Sequence, residues 1–229
     1  MLEELLLTPR QYENLLNGTW VTVQVIIGSF ALGTVMSLIM GVARLSDRRW
    51  LRGWALVYIE FARGISAIIL LFWMFFALPI LFGFGGMSPM LAGILALGLN
   101  MGAYGAEIVR GAIQSVAKGQ TEAAIALNLT DGQRLRYVTL PQAVPIILPP
   151  YGNLTIEVLK GTALVSLISL TDITRVALVM RQNRVLSDDP VNVPFLFVNV
   201  LIIYLILAQV IAQLFKVAER RSAKKFGSV

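Results

Sequence analysis

Charged and apolar positions along this chain fall in long blocks, not at the short periods of a soluble fold. Thr19–Ala43 carries no charge over 25 residues, and Val191–Phe215 none over another 25. About 20 helical residues cross a hydrocarbon core of ~30 Å, so each block predicts one membrane span. Gly64–Ala106 is uncharged over 43 residues, too long for one crossing. Pro79, Gly83, Gly85, Gly86, Ser88 and Pro89 divide it into two helices. A further apolar block, Pro145–Leu170, contains two charges, Glu157 and Lys160. The predicted fold is all-α and integral to the membrane. It has five transmembrane helices, at about 19–43, 54–80, 89–111, 145–170 and 191–215, within a domain covering 19–220. Residues 1–18 precede it as an amphipathic segment, in which Leu2, Leu5, Leu6, Tyr12, Leu15 and Leu16 share a face and Pro9 interrupts the helix. Residues 221–229 form a polar tail.

Composition excludes most other classes. Hydrophobic residues make up 57% of the chain and charged residues 14%, against about 45–50% and about 25% in soluble domains. There is no His and no Cys, which removes disulfides, dithiol chemistry, the usual zinc sites and His-based acid–base catalysis. Lys160-Gly161-Thr162 lacks the upstream glycine spacing of a P-loop, so the chain carries no nucleotide-binding loop of that kind. The net charge of +6 is distributed by side. Arg44, Arg48, Arg49, Arg52, Arg110, Lys118, Arg134, Arg136, Lys216, Arg220, Arg221, Lys224 and Lys225 flank the spans on one side. Only Arg10, Arg175, Arg181 and Arg184 flank them on the other. The positive-inside rule then puts the N-terminus outside and the C-terminus in the cytoplasm, and leaves no reason to expect a nucleic-acid partner. Glu3, Glu4 and Glu13 against Arg10 are the reverse of a basic signal-peptide n-region. Asp188-Asp189 reads as a solvated loop pair.

Between the third and fourth spans, residues 116–138 form a cytoplasmic loop with structure of its own. Glu122-Ala123-Ala124-Ile125-Ala126-Leu127 favours helix, Asn128–Gly132 breaks it, and Gln133–Val138 resumes it. Ile125, Leu127, Leu129, Leu135 and Tyr137 are apolar residues in need of a partner. Glu122-Ala123-Ala124, followed by Val138-Thr139-Leu140-Pro141-Gln142-Ala143, resembles the EAA loop of permease subunits in binding-protein-dependent ABC importers. The run Tyr104-x-Ala106-Glu107-Ile108-x-Arg110-Gly111 through Gly119-Gln120-x-Glu122 resembles the polar amino acid branch, that of the histidine, glutamine and arginine permeases. So do Phe61-x-Arg63-Gly64 and Leu159-Lys160-x-Thr162-x-Leu164-x-Ser166. The similarity covers roughly residues 12–220. Two positions depart from the family pattern. Asn128 stands where the loop glycine is usual, and Asn tolerates the left-handed conformation better than other residues with a side chain. Leu159-Lys160-Gly161-Thr162-Ala163 replaces Leu-Lys-Asp-Thr-Ser, which removes a carboxylate beside the lysine.

The resemblance implies an importer subunit that is not itself an enzyme, in a bacterial inner membrane. It binds no cofactor; ATP and Mg belong to a dimer of ATP-binding cassette ATPases below it. A second permease, identical or homologous, and an extracytoplasmic solute-binding protein complete the assembly, with outer loops 79–89 and 171–190 receiving the latter. Gly119, Glu122, Ala123, Ala124 and Asn128 are the candidates for ATPase coupling, with helix 119–127 docked in a cleft of the ATPase. Asn100, Tyr104, Glu157, Lys160 and Thr162 are the candidates for the solute pathway, because polar groups inside a span are costly and functional by default. Glu157 and Lys160 are three apart and can pair or meet a zwitterion. Glu60 with Arg63, and Glu107 with Arg110, fit a gate or an anchor, and Gly98-x-x-x-Gly102 a close helix approach. The stretch Leu159–Ile168 together with Glu157 resembles the ectoine and hydroxyectoine permeases, so the expected solute is a polar amino acid or a compact zwitterionic derivative. The alternatives are an ATP-independent carrier or channel, which needs no structured cytoplasmic hairpin, and a membrane-embedded enzyme, which this chain lacks the polar groups to build.

Overall fold

The structure, a computed structural model, describes residues 7–83, 85–183 and 191–226. Leu2, Leu5 and Leu6 of the amphipathic segment, and Arg184, Asp188 and Asp189, lie outside them. Every regular element among the described residues is helical. In chain order these are α1 (Pro9–Ala43), α2 (Arg49–Gly64), α3 (Ala67–Phe82), α4 (Pro89–Ser115), α5 (Lys118–Ala126), α6 (Asp131–Ile168), α7 (Ile173–Asn183) and α8 (Val193–Phe226). Three of them, α1, α4 and α8, are long and apolar enough to cross a membrane, and the count reaches five if α2 with α3 and α6 with α7 each make one broken span.

Several boundaries differ from those expected. Pro9 does not interrupt a helix; it opens α1, which then runs unbroken to Ala43. Proline suits a first helical position because its missing N–H would have no partner there. Thr8 and Gln11 cap the start reciprocally, the Thr8 N–H donating to Gln11 Oε1 at 3.1 Å and the Gln11 N–H to Thr8 Oγ1 at 3.4 Å. The expected second span is two helices, since Gly64 ends α2 and Ser66, with extended backbone, precedes α3. Residues 171–190 are not all loop. Asp172 accepts the backbone N–H groups of Thr174 at 3.1 Å and Arg175 at 3.0 Å, capping α7. Helix α8 continues through the first residues of the tail to Phe226.

Both π-helical turns, Trp73–Ala77 and Leu135–Thr139, end two residues before a proline, Pro79 and Pro141. A wider turn there relieves the clash between the proline ring and the preceding carbonyl. Helix α6 also contains Pro145, Pro149 and Pro150. None of these can donate to the carbonyl four residues back.

The chain forms two compact units, Met1–Leu32 with Ile65–Leu99 and Glu157–Gln209, and Gly33–Gly64 with Asn100–Ile156 and Val210–Val229. In the first, Leu7, Leu15, Ile173, Ala177, Val191, Leu196 and Val200 form a buried apolar cluster, with Val176, Met180 and Tyr204 against it. This cluster explains α7: its Ile173 and Ala177 face is a core face. In the second, Ser37 is the centre of a buried polar network. Its hydroxyl donates to the Gly33 carbonyl at 2.7 Å and lies 3.1 Å from the Tyr151 hydroxyl, which donates to Thr34 Oγ1 at 3.2 Å.

Candidate coupling surface and solute pathway

The loop helix α5 is short and open. Gly119, Glu122 and Ala123 are exposed, as are Ile125 and Leu127, the latter 75% accessible. Ala124 is the exception, buried at 2%. Successive helix residues are turned by about 100°, so two residues on from Glu122 the chain faces inward. A contact surface on α5 therefore comprises Glu122 and Ala123, with Ala124 seating the helix. Gln142 on α6 donates to Gln120 Oε1 at 3.1 Å, tying α5 to the following helix.

The turn after α5 is tightly specified. Asn128 adopts the left-handed conformation, with φ 57°, which few residues other than glycine and asparagine accept. Thr130 then caps α6. Its backbone N–H donates to Gln133 Oε1 at 2.9 Å, and its hydroxyl accepts from the Gln133 N–H at 3.4 Å. Asp131 and Arg134 pair one turn into the helix. Ile125, Leu127 and Tyr137 remain exposed together around this turn.

The expected pathway residues divide between the two units. In the second, Asn100 donates from Nδ2 to the Ala62 carbonyl at 2.8 Å, and the Tyr104 hydroxyl donates to the Arg63 carbonyl at 3.4 Å. Two side chains of α4 thus satisfy carbonyls that α2 leaves unpaired where it stops. Arg63 is not paired with Glu60. Its guanidinium lies over the Tyr104 ring, 5.2 Å from the centroid. Glu107 and Arg110 do pair, with Arg110 Nη2 2.7 Å and Nε 2.9 Å from Glu107 Oε2, and Arg110 Nη1 also donates to Gln114 at 2.6 Å.

In the first unit, Glu157 and Lys160 are both exposed and form no ion pair with each other. Three-residue spacing permits a pair, but the two side chains are not brought together. Thr162 is fully buried, its hydroxyl donating to the Leu159 carbonyl at 2.6 Å. It also bonds Tyr204, whose hydroxyl lies 3.1 Å from Thr174. Thr162 therefore belongs to a closed network with Tyr204 and Thr174, beside the fully buried Asp172. Asp172, Tyr204 and the Ser37–Tyr151 pair had not been singled out from the sequence. Only Asp172 left a local signal, a capping residue with an Arg three positions on.

Residues 33–224 match the family described as the binding-protein-dependent transport system inner membrane component. The chain is 45% identical over 206 residues to the "Probable amino-acid ABC transporter permease protein y4tF" of Sinorhizobium fredii, covering 88% of this chain and 84% of that protein. It is 34% identical over 212 residues to the glutamine transport system permease protein GlnP of Escherichia coli, covering 90% and 92%. Among solved structures it is similar to an amino acid ABC transporter crystallised with histidines, with a TM-score of 0.81 at 30% identity over 93% of this chain and 95% of that one. The inward-facing MetNI methionine transporter shares the fold, with a TM-score of 0.77 at 22% identity over 94% and 99%. A matched segment that takes in most of the chain, together with relatives aligned over nearly their whole length, leaves one conclusion: the chain belongs to the inner membrane components of binding-protein-dependent ABC transport systems.

Proposed function

We propose that this chain is the permease subunit of an ATP-driven importer that moves a polar amino acid, or a zwitterionic derivative such as ectoine, into the cell by alternating access. The relatives named for amino acids and glutamine support the amino-acid reading. The ectoine refinement rests on Glu157 and the stretch Leu159–Ile168. The single observation that carries the mechanism is α5, a short exposed helix between two apolar helices, presenting Glu122 and Ala123 with unpartnered Ile125 and Leu127 beside them. Such a patch on a membrane protein fits a docking surface, here for an ATP-binding cassette ATPase that holds the ATP and Mg. Arg44, Arg110, Arg134, Arg220 and their basic neighbours all fall in the unit that contains α5, which supports a cytoplasmic position for it. A second permease copy or homologue and an outer solute-binding protein complete the assembly.

Mass spectrometry of the proteins that co-purify with the tagged chain in mild detergent tests this. The expected result is an ATPase that is present with the wild type and lost with Glu122→Lys. A stable particle without an ATPase in either sample would return the protein to the channels and ATP-independent carriers.

A further inference from the structure

We infer that Arg63 is the carboxylate-binding residue of the solute pathway, and that the Tyr104 ring forms the wall against which it is held. The inference rests on the import of an amino acid or similar zwitterion proposed above. It adds the group recognised and the residue that meets it.

Arg63 is exposed and forms no ion pair among the described residues. Glu60, one turn earlier on α2, does not reach it, and Glu107 spends Oε2 on two bonds from Arg110. Glu107 is near enough to feel the Arg63 charge, but its Oε2 is held by Arg110, and among the described residues no carboxylate lies within ion-pair distance of the guanidinium. Its level in the membrane follows from its partner. Tyr104 lies fifteen residues into α4, about 22 Å from that helix's first residue at 1.5 Å per residue. A helix crossing a core of ~30 Å still has hydrocarbon around it at that point. An unpaired guanidinium facing lipid there is strongly unfavourable, so such a residue faces a water-filled space or a solute.

The local geometry selects the ligand. One face of the guanidinium is covered by the Tyr104 ring, which leaves its edge, with paired N–H donors, open to the solvent side. A planar carboxylate matches that edge with two parallel hydrogen bonds, and an amide or amine does not. The cation is also held in place. Asn100 and Tyr104 anchor the Ala62 and Arg63 carbonyls, fixing the last turn of α2 on α4. Asn100 and Tyr104 thus act as positioning residues, and Arg63 makes the contact.

Equilibrium binding of radiolabelled L-glutamine and ectoine, and of the carboxamide of each, to the permease–ATPase complex in lipid nanodiscs tests this. In wild type the acid should bind more tightly than its carboxamide. Arg63→Gln should weaken the acid by about ten- to a hundredfold, the worth of a charge-assisted bond, and abolish the preference over the amide. Arg63→Lys should restore part of it. If wild type binds neither acid, the proposed solute class falls, and this inference with it. If wild type binds an acid but does not distinguish its carboxamide, or if Arg63→Gln binds it unchanged, the inference alone is overturned. The wild-type comparison decides the point even if the Gln variant fails to assemble.

Discussion

A Cβ built on Gly105 would lie 2.0 Å from the Ser37 hydroxyl and 2.8 Å from the Tyr151 ring. This position accepts a hydrogen and nothing larger, because the Ser37 network brings the elements of its unit into close contact there. Gly105→Ala should therefore cost about 1–3 kcal/mol through overpacking, read as a lower unfolding temperature of the purified complex. Ser37→Ala removes the nearest atom but also breaks the network. The double variant should lose clearly less than the two single losses added together, because the residues are in contact. Additive losses would mean that the network does not set the approach. Single residues of this kind were poorly visible in the sequence. Asn128 was the exception, since a loop position usually held by glycine has few common substitutes with a side chain, and Asn is one of them. The pairing of Arg63 with Tyr104 joins positions 41 residues apart, and nothing local announces it. Glu157 and Lys160 show the opposite failure, a spacing that suggests a pair which the side chains do not form.

Helices are where the sequence was most informative and where its limits are easiest to explain. An uncharged run is a one-dimensional signal, so α1, α4 and α8 were legible from length alone. The break at Ile65–Ser66 was not, because apolar residues lie on both sides and only Gly64 hints at it. Helix α7 escaped because its eleven residues contain Arg175 and Arg181, and its apolar face makes sense only beside Leu15 and Leu196 from distant parts of the chain. The α5–α6 connection was legible because its turn chemistry is local. That locality gives a prediction. Asn128→Val should strain the left-handed turn by about 1–2 kcal/mol, whereas Asn128→Gly should be tolerated. Hydrogen exchange over residues 124–134 should quicken in the first variant only, and ATPase retention on purification should fall with it. Equal exchange in both variants would show that the turn does not depend on the residue at its left-handed position.

For the whole molecule, topology is the property most open to direct test. The chain has no Cys, so any introduced thiol is read against a silent background. In right-side-out vesicles, a Cys at Gly86 should react with an impermeant maleimide, and a Cys at Gly132 should react only after the membrane is opened. The reverse pattern would overturn the orientation taken from the distribution of Arg and Lys. At this scale too, the prolines of α6 acquire a meaning beyond their local geometry. Pro145, Pro149 and Pro150 each delete a cross-tie between successive turns, and the missing ties are gathered within two turns of one helix. A helix that lacks several ties in one stretch bends there more easily than an unbroken one. A load passed along such a helix would be taken up there as bending, as in a leaf spring.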